Sequence, residues 1–335
     1  MKMNNKCRNT NIEILRLLLI VGICLWHILV HDFGLKAIGQ EQQAVLPPPC
    51  MSAFLCALLA PATYCFMFIS GYYGIRFSIG KTVSLVYMAF FCFVTGTIVK
   101  YLVWGSIDWG NVLKHFLPIS TGRWWFMTGY VMVYLISPFI NKGIEEIQRK
   151  DFTHLLLLMT GLEVFSIITL QANSGSNFYG LLYIYVLGRY MRKYDIRFGR
   201  KVNVLVYVSC LAILSFLLYI FFVLPQPYNK LFFVTLGYNN PLIIIMAITL
   251  FFVIRDLRPR YNPTVNTFLS PILYVYLLTE TIGTPLYLFE AKMLLENIWS
   301  GLIVLLAVVA LCLLMGHLGD RGMKYIVKAS RNFSL

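Results

Sequence analysis

Arg16 and His27 lie eleven residues apart on one apolar stretch, residues 11–30, reading NIEILRLLLIVGICLWHILV. An α-helix rises about 1.5 Å and turns about 100° per residue, so this interval spans three turns plus roughly 20°. The two side chains therefore share a helix face about 16 Å apart, roughly half the thickness of a hydrocarbon core. Charged and titratable groups at such depth are costly unless partnered or hydrated, which makes them functional candidates. Imidazole can serve as base, acid or nucleophile near neutral pH, and a guanidinium can hold an anion or a polarised carbonyl. Glu13, three positions before Arg16, is close enough on a helix to pair with it. The plainer alternatives are a salt bridge that anchors the helix end and a histidine at the membrane interface.

Other polar residues stand out against apolar surroundings. His31 follows His27 by one turn, a spacing that suits zinc, but there is no HExxH motif and no third ligand nearby, so no metal is expected. Ser70-Gly71 is a small pair in a bulky run, which permits close helix approach. Arg76 and Lys81 follow it, placed either to meet the phosphates of a soluble co-substrate or to anchor the span. His154, Glu163 and Glu280 fall inside apolar spans, and each acid there needs a partner or water.

The elements that carry these residues are membrane helices. The chain is 59% hydrophobic and 13% charged over 335 residues, with long apolar runs from end to end, the pattern of a polytopic helical membrane protein. A β-barrel would show short alternating segments instead. About ten spans are expected, near 10–31, 51–75, 82–104, 122–141, 153–171, 178–191, 203–223, 237–255, 265–283 and 296–317. Glu13 and Arg16 interrupt the first run and no small-residue cleavage site follows, so it is expected to stay as an anchor. The whole of 1–335 reads as one membrane domain without a soluble appendage.

The net charge of +14 is distributed by topology. Basic residues crowd alternate gaps, including the cluster from Arg189 to Lys201 and the tail from Arg321 to Arg331. The opposite gaps hold only Lys36, Lys100, Lys114, Arg123, Lys230 and Lys292. By the positive-inside rule both termini are cytoplasmic, and the excess charge can attract anionic lipid headgroups. Nucleic acid is not an expected partner, because no clustered soluble face exists. The eight cysteines show no CxxC spacing and read as small apolar residues. No internal repeat or inverted pair of broken helices is visible, which disfavours a secondary transporter without excluding a transporter or channel.

Four motifs in order resemble the membrane acyltransferase 3 family over nearly the full chain. Glu13-x-x-Arg16-x10-His27 is similar to its Arg-x10-His signature, and Phe66-Met67-Phe68-Ile69-Ser70-Gly71-Tyr72-Tyr73-Gly74 to its second-helix motif. Trp124-Trp125-Phe126 through Asn141 resembles its fourth helix, and Tyr185-Val186-Leu187-Gly188-Arg189-Tyr190 a segment of bacterial polysaccharide O-acetyltransferases. One departure is clear. Many members place a histidine in the ninth helix where this chain has Thr279-Glu280, and Glu280 is the residue available to substitute.

The resemblance implies an O-acetyltransferase of the bacterial cytoplasmic membrane. It would take acetyl-CoA inside and deliver to a glycan or lipid-linked sugar hydroxyl, with N-acetylation of an amino sugar as the neighbouring alternative. It makes His27 and Arg16 the catalytic candidates. Arg16, Ser70, Arg76 and Lys81 stand on the donor side, and Glu13, Tyr72, Trp125 and Glu280 in supporting or acceptor-side positions. Two roles for His27 stay open: general base toward the acceptor hydroxyl, or transient acyl carrier. Protein partners and oligomeric state are not readable from these residues.

Overall fold

The computed structural model describes residues 8–29, 49–105, 109–168, 175–224 and 230–332, and these are helical without a strand among them. In chain order the helices are α1 (Thr10–His27), α2 (Pro49–Leu59), α3 (Ala62–Tyr73), α4 (Ile79–Trp104) and α5 (Trp109–Lys114). They continue with α6 (Trp125–Glu146), α7 (Arg149–Ile168), α8 (Phe178–Lys193), α9 (Arg200–Val223) and α10 (Lys230–Thr235). The last five are α11 (Pro241–Arg255), α12 (Pro263–Phe268), α13 (Ile272–Ile282), α14 (Thr284–Glu296) and α15 (Ile298–Asn332). His31 and most of the connection before α2 lie outside the described residues.

Short polar side chains set the helix starts by accepting from backbone N–H groups that have no partner within the helix. Asn9 Oδ1 accepts from Asn11 N at 3.1 Å at the head of α1. Ser78 Oγ accepts from Lys81 N at 3.3 Å at α4, and Asn177 Oδ1 from Gly180 N at 2.8 Å at α8.

Helices occupy all ten intervals expected from hydropathy, but not as ten simple rods. Five runs are long and apolar enough to cross a membrane: 10–27, 49–73, 79–104, 200–223 and 298–325. The number rises to six if the pair 263–282 and 284–294, bent by 98°, forms one broken span. The stretch expected to link the last two spans is instead helix α14.

The exposed faces are apolar. On α4, Val83, Val86, Phe90, Val94, Ile98 and Leu102 point outward at spacings of three or four residues. On α15, Ile303, Leu306, Leu311, Leu314 and Leu318 are exposed as well. A stripe of that size has no stable place in water, and lipid is the solvent that satisfies it.

The chain divides into two compact units. One contains α1, α4, α5 and α12–α15, the other α2, α3 and α6–α11. In the first unit α13 is the central helix, packed against α1, α4, α14 and α15, with Tyr274 through Thr279 buried on every face. Asn262 N donates to Thr10 Oγ1 at 2.8 Å and Asn266 Nδ2 to the Arg8 carbonyl at 2.8 Å, tying α12 to the start of α1.

In the second unit α3 is central, with Tyr64, Cys65, Met67, Phe68, Ile69 and Tyr72 all buried. It crosses α8 closely: a Cβ added at Gly71 would sit 2.5 Å from the Tyr185 carbonyl oxygen. Glycine weakens a helix by about 1 kcal/mol relative to alanine, and here it allows the two backbones to touch.

Candidate active site

His27 ends α1, on the face that α1 presents to α13 within the first unit. Its Nδ1 lies 2.8 Å from Glu280 Oε1. The Tyr287 hydroxyl donates to the same carboxylate oxygen at 2.8 Å and lies 3.1 Å from His27 Nδ1. Glutamate, tyrosine and imidazole thus close a three-membered polar cluster on one edge of the ring. His27 and Glu280 side chains keep 15% and 26% of their exposure, so the cluster is reachable yet largely dry. Tyr276 and Tyr287 flank the imidazole, with ring centroids 6.4 and 5.5 Å away.

The local fold that builds this cluster is a corner. Glu280 lies in the last turn of α13 and Tyr287 in the first turn of α14, separated by Gly283 at φ 68°, ψ −141°. That backbone conformation is essentially closed to residues with a Cβ. A Cβ at Gly283 would meet nothing closer than the Glu280 carbonyl at 3.5 Å, so conformation rather than space selects glycine.

A carboxylate at Nδ1 fixes what the histidine can do. With Nδ1–H directed to Glu280, the neutral ring carries its lone pair on Nε2. A carboxylate held there orients the imidazole and stabilises its cation once it takes a proton, the logic of an orienting acid behind a histidine base. Thr279, where a histidine is expected by resemblance, donates Oγ1 to the Val275 and Tyr276 carbonyls at 2.9 and 3.2 Å. The adjacent Glu280 supplies the group that reaches His27.

Arg16, three turns toward the N-terminus, donates Nη1 to Glu13 Oε1 at 3.1 Å, and Glu13 is buried. Glu13 also sits in the first turn of α1, where a carboxylate complements the helix dipole. Lys81 belongs to the same unit, exposed in the first turn of α4.

The remaining candidates belong to the second unit. Ser70 is half-buried in α3, and its carbonyl accepts from Gly74 N at 3.0 Å. The side chain of Arg76 is exposed, while its carbonyl accepts from the Tyr134 hydroxyl at 3.5 Å. The turn before it is clamped. Asn141 Nδ2 donates to the Ile75 carbonyl at 2.9 Å, Ile75 N donates to the Tyr185 hydroxyl at 3.2 Å, and Tyr185 donates to Asn141 Oδ1 at 2.7 Å. Tyr72 is buried against arginines of α8 and α11. Trp125, half-buried at the start of α6, packs on Tyr238 with centroids 5.4 Å apart.

Glu163, an acid within an apolar span that needs a partner, has one: the Tyr64 hydroxyl donates to its Oε1 at 2.8 Å, joining α7 to α3. Two residues differ from the sequence reading. His154, which reads as buried within a span, is exposed in the second turn of α7. Glu290, which falls in what reads as a connecting loop, is only 1% exposed in α14. Tyr287 escaped for the same reason, since Pro285, Glu290 and Lys292 break the hydropathy of that segment. No group of three metal-ligating side chains occurs among the described residues.

The family model for the acyltransferase 3 domain matches residues 9–317. No curated protein and no solved structure matches the chain. The matched stretch runs from the cap of α1 into α15, taking in the His27 cluster and the α3–α8 crossing alike, and the chain belongs to the acyltransferase 3 family of membrane acyltransferases.

Proposed function

We propose that this acyltransferase moves an acetyl group from cytoplasmic acetyl-CoA to a sugar hydroxyl of a cell-envelope or exported polysaccharide, or of its lipid-linked precursor. The proposal places it in the bacterial cytoplasmic membrane with ten crossings and both termini inside. The observation that carries the reading is the carboxylate-oriented imidazole of His27, in a chain of this family.

In this reading His27 Nε2 takes the proton of the acceptor hydroxyl as that oxygen bonds to the acyl carbon. The C–S bond breaks, and the protonated imidazole returns its proton to the departing thiolate. Glu280 holds the imidazolium during the interval. Arg16, about 16 Å from His27 along α1 and paired with Glu13, does not reach the reacting carbonyl; its positive charge serves the donor further in, as Arg76 and Lys81 do for its phosphates. Trp125 and Tyr72 stand as supporting residues.

The test is transfer of labelled acetyl from acetyl-CoA in inside-out vesicles, wild type beside His27→Ala at matched expression. Loss of a general base or nucleophile lowers transfer roughly 10²- to 10⁴-fold. Wild-type rates in the variant would remove His27 from the chemistry. Label retained on the wild-type protein favours an acyl-histidine relay, and label on glycan that survives mild alkali favours an amide over an ester.

The bent pair of helices at Gly283 favours one other reading, because broken spans also line solute paths in transporters. Solute flux that needs no acyl-CoA is the result that selects it.

A further inference from the structure

A second group of cations lies in the second unit, where α3, α8 and α11 end together around Tyr72. The Tyr72 ring is 1% exposed. The guanidinium carbon of Arg255 stands 5.2 Å from its centroid and that of Arg192 5.3 Å. Arg192 Nη1 also donates to the Tyr72 hydroxyl at 3.4 Å, and Arg255 packs on Phe252 at 5.6 Å. Two residues beyond Tyr72, the Arg189 guanidinium lies against the backbone of Gly74. Arg189 Nε is buried and has no hydrogen-bond partner among the described residues. Against these three cations, Asp256 pairs with Arg255 at 3.3 Å.

Cations at helix C-termini complement the helix dipole, and that alone explains a lysine or arginine at the end of α8 or α11. Lys193 shows what such capping looks like: its Nζ donates to the carbonyls of Ile144, Glu145 and Ile147 at the end of α6. Arg192 instead donates to a tyrosine hydroxyl, and the two guanidinium groups converge on one buried ring. Guanidinium groups placed this way recognise phosphate through paired N–H donors. A buried Nε without an acceptor is a donor that an arriving anion satisfies.

We propose that Arg189, Arg192 and Arg255, set around Tyr72, form a phosphate-binding site for the nucleotide end of the acyl-CoA donor. This inference rests on the donor assignment made above. A CoA nucleotide carries a 3′-phosphate and a 5′-diphosphate, so it offers several anionic groups to several guanidinium groups at once.

The test is equilibrium binding of CoA itself to the full chain in detergent, wild type beside Arg192→Gln and the Arg192→Gln/Arg255→Gln double variant. Arg192 is exposed, so the single variant keeps the fold, and melting temperature checks both. Losing charge-assisted bonds to phosphate lowers CoA affinity about 10-fold in the single variant and on the order of 100-fold in the double. The salt dependence of binding also weakens. Equal CoA affinity in all three proteins overturns the site while leaving the donor assignment standing. Unchanged CoA affinity with reduced binding to phosphatidylglycerol vesicles makes it a lipid headgroup site instead. A wild type that binds no CoA removes the donor assignment, and this site with it.

Discussion

Which nitrogen of His27 is engaged decides what the side chain can do. Glu280 and Tyr287 both meet Nδ1, which leaves base or carrier chemistry to Nε2. Glu280→Gln keeps the size of the side chain but removes the charge that stabilises the imidazolium. Transfer should fall by roughly 10² or more at constant protein level, in the range for impaired acid–base catalysis. Tyr287→Phe removes a hydrogen bond donated to the Glu280 carboxylate but leaves the charge beside the imidazole, so a drop of about 10-fold, smaller than for Glu280→Gln, is expected. A Glu280→Gln variant as slow as Tyr287→Phe and no slower would reduce the carboxylate to a structural partner. His27, Arg16 and Glu280 were legible because titratable groups in apolar runs stand out. Their pairing was not, because His27 and Glu280 are 253 positions apart in the chain and meet only through the packing of α1 on α13. Tyr287 carried no signal of its own, being one of 21 tyrosines.

At the scale of the element, the corner between α13 and α14 places the carboxylate and the phenol on the same imidazole edge. Alanine at Gly283 must adopt φ 68°, ψ −141°, a strain of about 1–3 kcal/mol, or let α14 swing away. The expectation for Gly283→Ala is a lower melting temperature together with reduced transfer. Gly143→Ala in α6 is the control, since a Cβ there meets nothing within 4 Å and alanine favours a helix. Identical stability and activity in the two variants would argue that the corner is dispensable. Hydropathy locates ten helical intervals because apolar length is all it measures. It missed α14, where Pro285, Glu290 and Lys292 interrupt the run although Leu286, Tyr287, Glu290 and Ala291 are buried. It also could not see the break at Gly283, since a glycine with positive φ and one in a packed helix look alike in sequence. The close helix approach at Gly71 is legible in the sequence, because a small residue in a bulky apolar run leaves room for a neighbouring backbone.

For the whole molecule the decisive quantity is which side of the bilayer each end of each helix faces. Acyl-CoA is made and kept in the cytoplasm, so an acetyl-CoA-dependent reading requires the arginines around Tyr72 to face inward. The charge asymmetry carries the same expectation independently: by the positive-inside rule the cluster from Arg189 to Lys201 and the tail from Arg321 to Arg331 are expected inside. The apolar outer faces of α4 and α15 carry no such direction, as they satisfy lipid in either orientation. Reporter fusions separate the possibilities. A fluorescent protein fused after Leu335 should fold and fluoresce, and alkaline phosphatase inserted after Asp195, between α8 and α9, should remain inactive. Alkaline phosphatase inserted after Gly122, ahead of α6, should be active, because that gap is poor in positive charge. Activity at Asp195 would place the arginine cluster outside, where neither a cytoplasmic thioester donor nor the phosphate site proposed for it could operate. The chain would then have to draw its acyl group from a donor on the outer side.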